Sequence, residues 1–362
     1  MMPVRDPLFE ISAACARLRG ASAVGRPLAL LMLLLHALLA STALAATPNE
    51  PTPEARTSSL REAMQDGPVA ATPLLWRVEP AGGATLHLLG SIHFGPPGGW
   101  RLPFVVEDAF AKSRALVVEI DQRNVTEAET QAIMARIAMA PAGSTLADYV
   151  SAETLNDLDA YVTARGGSVA GLMPFRPWMV STVLMIGVIG ELGFSAETGI
   201  DGTFLAQAGK REVIALETVE SQLSIFGDLS PELDALFLRD TLDQVKEAEE
   251  MIAGMAQAWR AGDEKRLVEL LAESFDEGEE LQALRDALIV DRNVAMAKRL
   301  DALARDPKRA GQDVFVVVGA AHFVGEDDIR SMLAAKGLRV RTIRTDGGTS
   351  DGRSGRGDDD AR

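Results

Sequence analysis

Ala84-Thr-Leu-His-Leu-Leu-Gly90-Ser-Ile-His93-Phe-Gly95 and Asp313-Val-Phe-Val-Val-Val-Gly319-Ala-Ala-His322-Phe-Val-Gly325 are two copies of one device. In each, an apolar run ends on a glycine, an imidazole stands three residues on, and Phe and then Gly follow. A short apolar run bounded by turn residues reads as a buried strand. A glycine at a strand end allows a sharp turn and lets backbone or ligand approach closely. The copies lie far apart in the chain, so any shared site has to be made by the fold.

Outward from these runs, residues 74–79 read as a hairpin partner of the first copy, joined to it through Pro80-Ala-Gly-Gly83. Residues 115–121 and 212–217 read as further strands, each carrying a glutamate near its end: Glu119 in Leu-Val-Val-Glu and Glu217 in Val-Ile-Ala-Leu-Glu. Residues 338–343 read as a last strand, after a helix over 329–336 that Gly337 stops. Helices are expected over 103–114, 126–138 and 151–165, the last two opened by Thr or Ser. Residues 177–190 carry no charge and are too short to span a bilayer, so a buried helix is expected. After Glu217 the chain reads as helical for nearly a hundred residues. Leu233, Leu236, Phe237, Val245, Ala248, Ile252, Met255 and Trp259 mark a core face at three-four spacing. The acidic break at 275–280 reads as a solvated loop, and 281–303 as one helix. The fold class is α/β (α+β), a central mixed sheet with flanking helices and a long helical insertion.

The chain has 362 residues, 47% of them hydrophobic, with a formal net charge of −16. That balance excludes nucleic acid as a partner, which would need a basic stripe. Arg17, Arg19 and Arg26 precede an apolar run from Leu28, and Ala43-Leu-Ala45 follows as a small-residue cleavage pattern. Residues 1–46 therefore read as a signal peptide, with an uncleaved anchor as the alternative. Cleavage removes Cys15 and His36, leaves no cysteine and no stable membrane span, and places the protein in the periplasm or outside the cell. Residues 47–72 read as a flexible linker, 73–344 as one domain and 345–362 as a disordered tail.

In α/β sheets, ligands bind where loops converge at the carboxyl ends of strands. Four such strands, adjacent and alike in direction, would bring His93, Glu119, Glu217 and His322 to one edge. Two imidazoles and one or two carboxylates suit Zn²⁺, Mn²⁺, Co²⁺ or Fe²⁺, and a bound ion would activate water. The same residues also suit general-base hydrolysis without metal. Each has a plainer reading. A histidine after a strand is commonly a turn residue, and a glutamate in an apolar run can belong to a structural ion pair. His87, inside its strand, reads as a packing residue. Asp201 in Gly199-Ile-Asp201-Gly reads as a helix N-cap, with a supporting role behind a metal ligand as the alternative. Arg292 in Asp291-Arg-Asn293 suits pairing with a site carboxylate or clamping an oxyanion.

Together these segments resemble the TraB/PrgY/GumN family, which includes the animal Tiki proteins. The resemblance rests on Trp76, Leu88-Leu-Gly-Ser-Ile-His93, Val117-Val-Glu119, Gly199-Ile-Asp201, Ala206, Lys210, Leu216-Glu-Thr218, Gln222, Asp291-Arg-Asn293 and Val318-Gly-Ala-Ala-His322-Phe-Val-Gly325. It implies an α/β fold related to erythromycin esterases and a haem-binding lipoprotein. It also implies a metal-dependent peptidase using Mn²⁺ or Co²⁺ on a peptide or protein substrate. On this reading His93, His322 and Glu119 or Glu217 hold the metal, the other glutamate is general base, and Arg292 stabilises the oxyanion. The rival expectations are a metal-free esterase-type hydrolase with His93 as base, and a non-catalytic binder of peptide or haem. For haem only Tyr149 and Tyr161 offer phenolate ligands, and neither lies in a motif.

Overall fold

The hairpin forms as expected: β1 (Leu75–Glu79) runs antiparallel to β2 (Thr85–Ser91), with Trp76 opposite Leu88. These strands belong to a computed structural model that describes residues 73–351, apart from 246, 274–278 and 345–348. The expected signal peptide (1–46) and linker (47–72) lie outside the described residues, as does most of the acidic break at 275–280.

After β2 come α1 (Phe104–Lys112) and β3 (Ala115–Val118), then α2 (Glu127–Ile137), α3 (Ala152–Ala164), α4 (Pro177–Glu191) and α5 (Ile200–Ala206). The chain re-enters the sheet as β4 (Glu212–Ala215). It leaves again through α6 (Val219–Gly227), α7 (Pro231–Gln244), α8 (Ala248–Ala261), α9 (Glu264–Glu273) and α10 (Glu279–Arg285). A π-helical turn (Asp286–Val290) joins α10 to α11 (Asp291–Arg305). The single helix expected over 281–303 is thus split just before Arg292. Strand β5 (Asp313–Gly319), α12 (Ile329–Ala335) and β6 (Arg339–Ile343) follow. Residues 349–351, in the stretch read from sequence as a tail, form a short edge strand β7 (Thr349–Asp351).

The sheet order is β4-β3-β5-β2-β1-β6-β7. Strands β4, β3, β5 and β2 are mutually parallel, whereas β1 is antiparallel to both neighbours. Parallel strands covered on both faces read as continuous apolar runs. That is what β5 shows, with Val314 to Gly319 all buried, and β3, with all four residues buried. Phe315 of β5 lies between Phe110 of α1 and Phe204 of α5, ring centroids 5.4 and 4.8 Å away. Helix α4 starts at Pro177, buries Trp178 and nine other residues, and stacks Trp178 on Phe226. The expected core helix is therefore what forms. Val180 and Leu184 of α4 also join Leu146, Leu158, Leu172, Leu238 and Leu242 in a satellite core inside the helical insertion. One position of the expected α7–α8 core face departs: Leu236 is 48% exposed, while Leu233 and Phe237 beside it are buried. Among the described residues no helix is long and apolar enough to cross a membrane.

Phe315→Ala removes a fully buried ring that bridges β5 to two helices. The expected cost is about 3–5 kcal/mol, read as a lower denaturation midpoint with an unchanged denaturant slope.

Candidate functional site

Parallel direction puts the carboxyl ends of β2, β3, β4 and β5 on one edge of the sheet. Backbone pairing continues one step past β3 and β4, the Glu217 amide donating to the Glu119 carbonyl at 2.8 Å. The two glutamates are therefore neighbours, Glu119 buried and Glu217 largely so, and two such carboxylates side by side need a cation. Arg292 provides it. Its Nη2 donates to Glu119 Oε2 at 2.6 Å and to Glu217 Oε2 at 2.7 Å, and its Nε donates to Glu217 Oε1 at 2.9 Å. Arg292 Nη1 donates to the Leu288 carbonyl inside the π-helical turn at 3.0 Å, so the helix break and the guanidinium position are linked. Gln222 of α6 bridges the same carboxylates from its Nε2, at 3.1 Å to Glu119 and 2.7 Å to Glu217.

Glu119 turns its other oxygen toward β5. Oε1 accepts the Gly319 amide at 2.7 Å and lies 3.9 Å from His93 Nε2. A Cβ on residue 319 would sit 2.9 Å from His93 Nε2 and 3.2 Å from Glu119 Oε1. The glycine of the second copy thus keeps open the space between the imidazole of the first copy and the carboxylate.

His93 is held from behind by α5. Gly199 caps that helix and lies so close to the His93 carbonyl that a Cβ would meet it at 2.5 Å. The Ile200 amide donates to the Ile92 carbonyl at 3.0 Å. This docking brings Asp201 to His93, with Oδ2 2.8 Å from Nδ1, while Ser91 Oγ donates to Asp201 Oδ1 at 3.0 Å. Asp201 is therefore not the N-cap read from the sequence: the cap is Gly199, and Asp201 sits two residues on, within the first turn, buttressing the imidazole.

His322, 1% exposed, is fixed by the residue after Arg292. Asn293 Nδ2 donates to the Asp327 carbonyl at 2.7 Å, which leaves Oδ1 as the acceptor for His322 Nδ1 at 2.6 Å. The proton of His322 then belongs on Nδ1, and Nε2 keeps its lone pair. Burial, reinforced by the charge of Arg292, pushes His322 down to about 3, so the ring is neutral at physiological pH. For His93 burial acts the same way. The charge and hydrogen bond of Asp201, with help from Glu119, override it and raise the ring to about 9. Burial alone would raise Glu119, but Arg292, the two imidazoles and the Gly319 amide bring it down to about 2.

A cavity of about 440 Å³ opens beside this cluster, walled by His93, Glu119, Asp201 and Gln222, by the apolar Val118, Ile120 and Leu205, and by Arg123 and Glu197. His322, Glu217 and Arg292 are not part of its wall. The four expected strand-end residues are brought together, but not in equal roles. Glu217 spends both oxygens on Arg292 and Gln222, so it does not suit the expected role of general base. Glu119, held near 2, is too weakly basic to serve in its place. Arg292, buried and committed to two carboxylates and a carbonyl, orders the glutamates and does not face the cavity as an oxyanion clamp. His87 is no part of the cluster, its Nε2 lying 2.9 Å from Asp313 Oδ1 at the start of β5. Asn293 and Gln222 had only their places in the quoted motifs to mark them, and Ser91 stands within the first Gly-x-x-His.

Arg292→Met leaves two buried carboxylates without their cation. A loss of about 3–5 kcal/mol of stability is expected in chemical denaturation, and Arg292→Lys should recover little, because one ammonium cannot reproduce the fork. Glu119 sets the response to acid. Its ordinary value is 4.5 and its folded value about 2, so its contribution is complete above the former and lost as pH falls through the latter. In denaturation at stepped pH, the stability gap between wild type and Glu119→Gln should be widest above pH 4.5 and close toward pH 2.

Comparison with known proteins shows the family of the chain. YbaP of Escherichia coli K12, described as an uncharacterized protein, is 30% identical over 256 residues, covering 70% of this chain and 89% of YbaP. The Shigella flexneri YbaP is 31% identical over 251 residues, 68% of this chain and 87% of its own length. No solved structure matches. The model of the TraB/PrgY/gumN family matches residues 74–342, which spans β1 to β6 and every residue of the site described above. The chain belongs to the TraB/PrgY/gumN family.

Proposed function

We propose that the protein is an exported, metal-assisted hydrolase of peptides or proteins, with its chemistry at His93. The observation that carries the reading is the charge of the cluster. Three carboxylates, Glu119, Glu217 and Asp201, are met by one permanent cation, Arg292, on the two glutamates and by the His93 ring on Asp201, which leaves the cluster one positive charge short even with His93 protonated. A buried cluster short of positive charge is costly, and the side left short is the one where His93 Nε2 faces Glu119 Oε1 beside Gly319.

The residues fit a divalent ion there in two further respects. Each imidazole has Nδ1 tied to an oxygen, Asp201 for His93 and Asn293 for His322, the outer support that metal-binding histidines use. Gly319 leaves free the volume that a side chain would fill. His93, His322 and Oε1 of Glu119 would hold the ion. Among the described residues no three His, Cys, Asp or Glu side chains already stand together as a metal site, so His93, His322 and Glu119 would have to draw in on the ion. A bound divalent ion would bring the pKa of a coordinated water toward neutrality and polarise a carbonyl. Asp201 holds the His93 ring in place, Gln222 and Arg292 keep Glu119 ionised and turned toward Gly319, and the cavity beside His93 and Glu119 receives the substrate. Export rests on the basic, apolar and Ala43-Leu-Ala45 pattern of residues 1–46.

One observation favours a second reading without metal: both oxygens of Glu119 are already engaged, Oε1 by the Gly319 amide and Oε2 by Arg292 and Gln222. In that case the His93–Asp201 pair alone would act on water, with activity rising as pH approaches 9 and His93 gives up its proton.

Elemental analysis and peptide cleavage by the purified protein separate the readings. The first expects a bound divalent ion, loss of cleavage on chelation, and loss of both in His93→Ala and His322→Ala. It also expects metal affinity 10–100-fold weaker, roughly, in Asn293→Ala. Cleavage that survives exhaustive chelation selects the second reading. A protein whose metal content and cleavage both survive the double histidine change is neither.

A further inference from the structure

His93 is a wall of two cavities. Besides the cavity already described it lines a second, smaller chamber of about 40 Å³, walled by Phe94, Met255, Trp259, Leu267, Leu270 and Ala320, among others. Its only polar residues are Ser91 and His93. Ser91 Oγ is turned to Asp201 and His93 Nδ1 is tied to the same carboxylate, so the chamber offers a ligand almost no hydrogen bonds. A single water needs on the order of 10–15 Å³ and two to four polar partners. The chamber has room for a few waters but nothing to hold them, and an apolar group is the better occupant.

The chamber is preformed. Trp259 Nε1 donates to the Gly90 carbonyl at 2.8 Å, which fixes the indole against the strand end that carries His93. Trp100 packs on Trp259 at 5.3 Å and donates to the Phe94 carbonyl at 2.7 Å, bracing the opposite wall. Of the lining residues only Met255 and Leu271 are part-exposed, so the mouth lies between α8 and α9.

We infer that this chamber is a specificity subsite, which takes the apolar side chain of a peptide residue next to the bond that His93 addresses. This rests on the hydrolase reading and gives it a substrate class: peptides with a medium-sized aliphatic residue at that position. The occupant follows from three features together. The shared wall puts it within reach of His93, the small volume excludes an extended acyl chain, and the lining excludes charge. The larger cavity, with Gln122, Arg123 and Glu197 on its wall, takes the polar remainder of the peptide.

The test compares matched peptides that differ at one position, Leu, Phe, Ala or Asp. Wild type should favour Leu over Ala by roughly tenfold or more in kcat/KM, with Asp poorest. Met255→Trp, which fills the mouth, should collapse the Leu/Ala ratio toward one, and Met255→Ala should move the optimum toward Phe. Cleavage with no preference, or a ratio unmoved by both variants, overturns the subsite and leaves the hydrolase reading standing. Absence of any peptide cleavage overturns the hydrolase reading instead. The chamber is then tested alone by titrating N-acetyl-leucinamide and N-acetyl-aspartamide while following tryptophan emission. A saturable response to the leucine compound only, abolished in Met255→Trp, supports an apolar side-chain pocket; no response, or equal responses, removes it.

Discussion

Arg292 is the constraint on which the site depends. Parallel strands deliver their carboxyl ends to the same edge, and β3 and β4 deliver Glu119 and Glu217 as backbone-paired neighbours. Two carboxylates in that position, one buried and one largely so, repel each other and have lost most of their water. One guanidinium, with its planar fork, satisfies both and ties α11 to two strand ends at once. The π-helical turn before Arg292 belongs to the same arrangement, since Leu288 in that turn accepts from the Nη1 that the glutamates do not use. π-Helical turns inside α-helices recur at functional sites.

The rest of the cluster is built by close approach. Gly319 gives its amide to Glu119 and, by lacking a side chain, leaves His93 Nε2 unobstructed. Gly199 lets the start of α5 press against the backbone of residues 92 and 93, which is what carries Asp201 to the imidazole. A methyl group at either position would meet atoms at 2.9 Å or less. The two histidines, similar as motifs, end in opposite electrostatic states. One leans on a carboxylate and is raised; the other leans on a neutral amide, next to Arg292, and is lowered. The environment of Nδ1 and the distance to Arg292, not the motif, divide them.

Much of the architecture was legible before any coordinates. The apolar runs of β2, β3 and β5, the hairpin of β1 and β2 and helix α4, uncharged up to its last residue, could be read from period and composition, because buried strands and helices leave that mark. The convergence of His93, Glu119, Glu217 and His322 followed from one assumption, that four strand-end residues share an edge. What could not be read were the partners. Leu236 keeps helical spacing yet faces solvent, because spacing gives a stripe but not its width. Asp201 sits where an N-cap is common, and only the docking of α5 against the backbone of residues 92 and 93 turned it toward His93. Glu217 looked as free as Glu119 until Arg292 and Gln222 arrived from distant helices.

The sequence by itself determined the alternation of strand and helix, the four residues at the strand ends and the membership of a family, since these depend on local pattern and on motifs a few residues long. Tertiary structure alone decided which carboxylate faces the cavity, which imidazole carries charge and that Arg292 braces the glutamates without facing the cavity. Those properties depend on burial and on charges a few ångströms away in space but far off in the chain, and no local pattern records such distances.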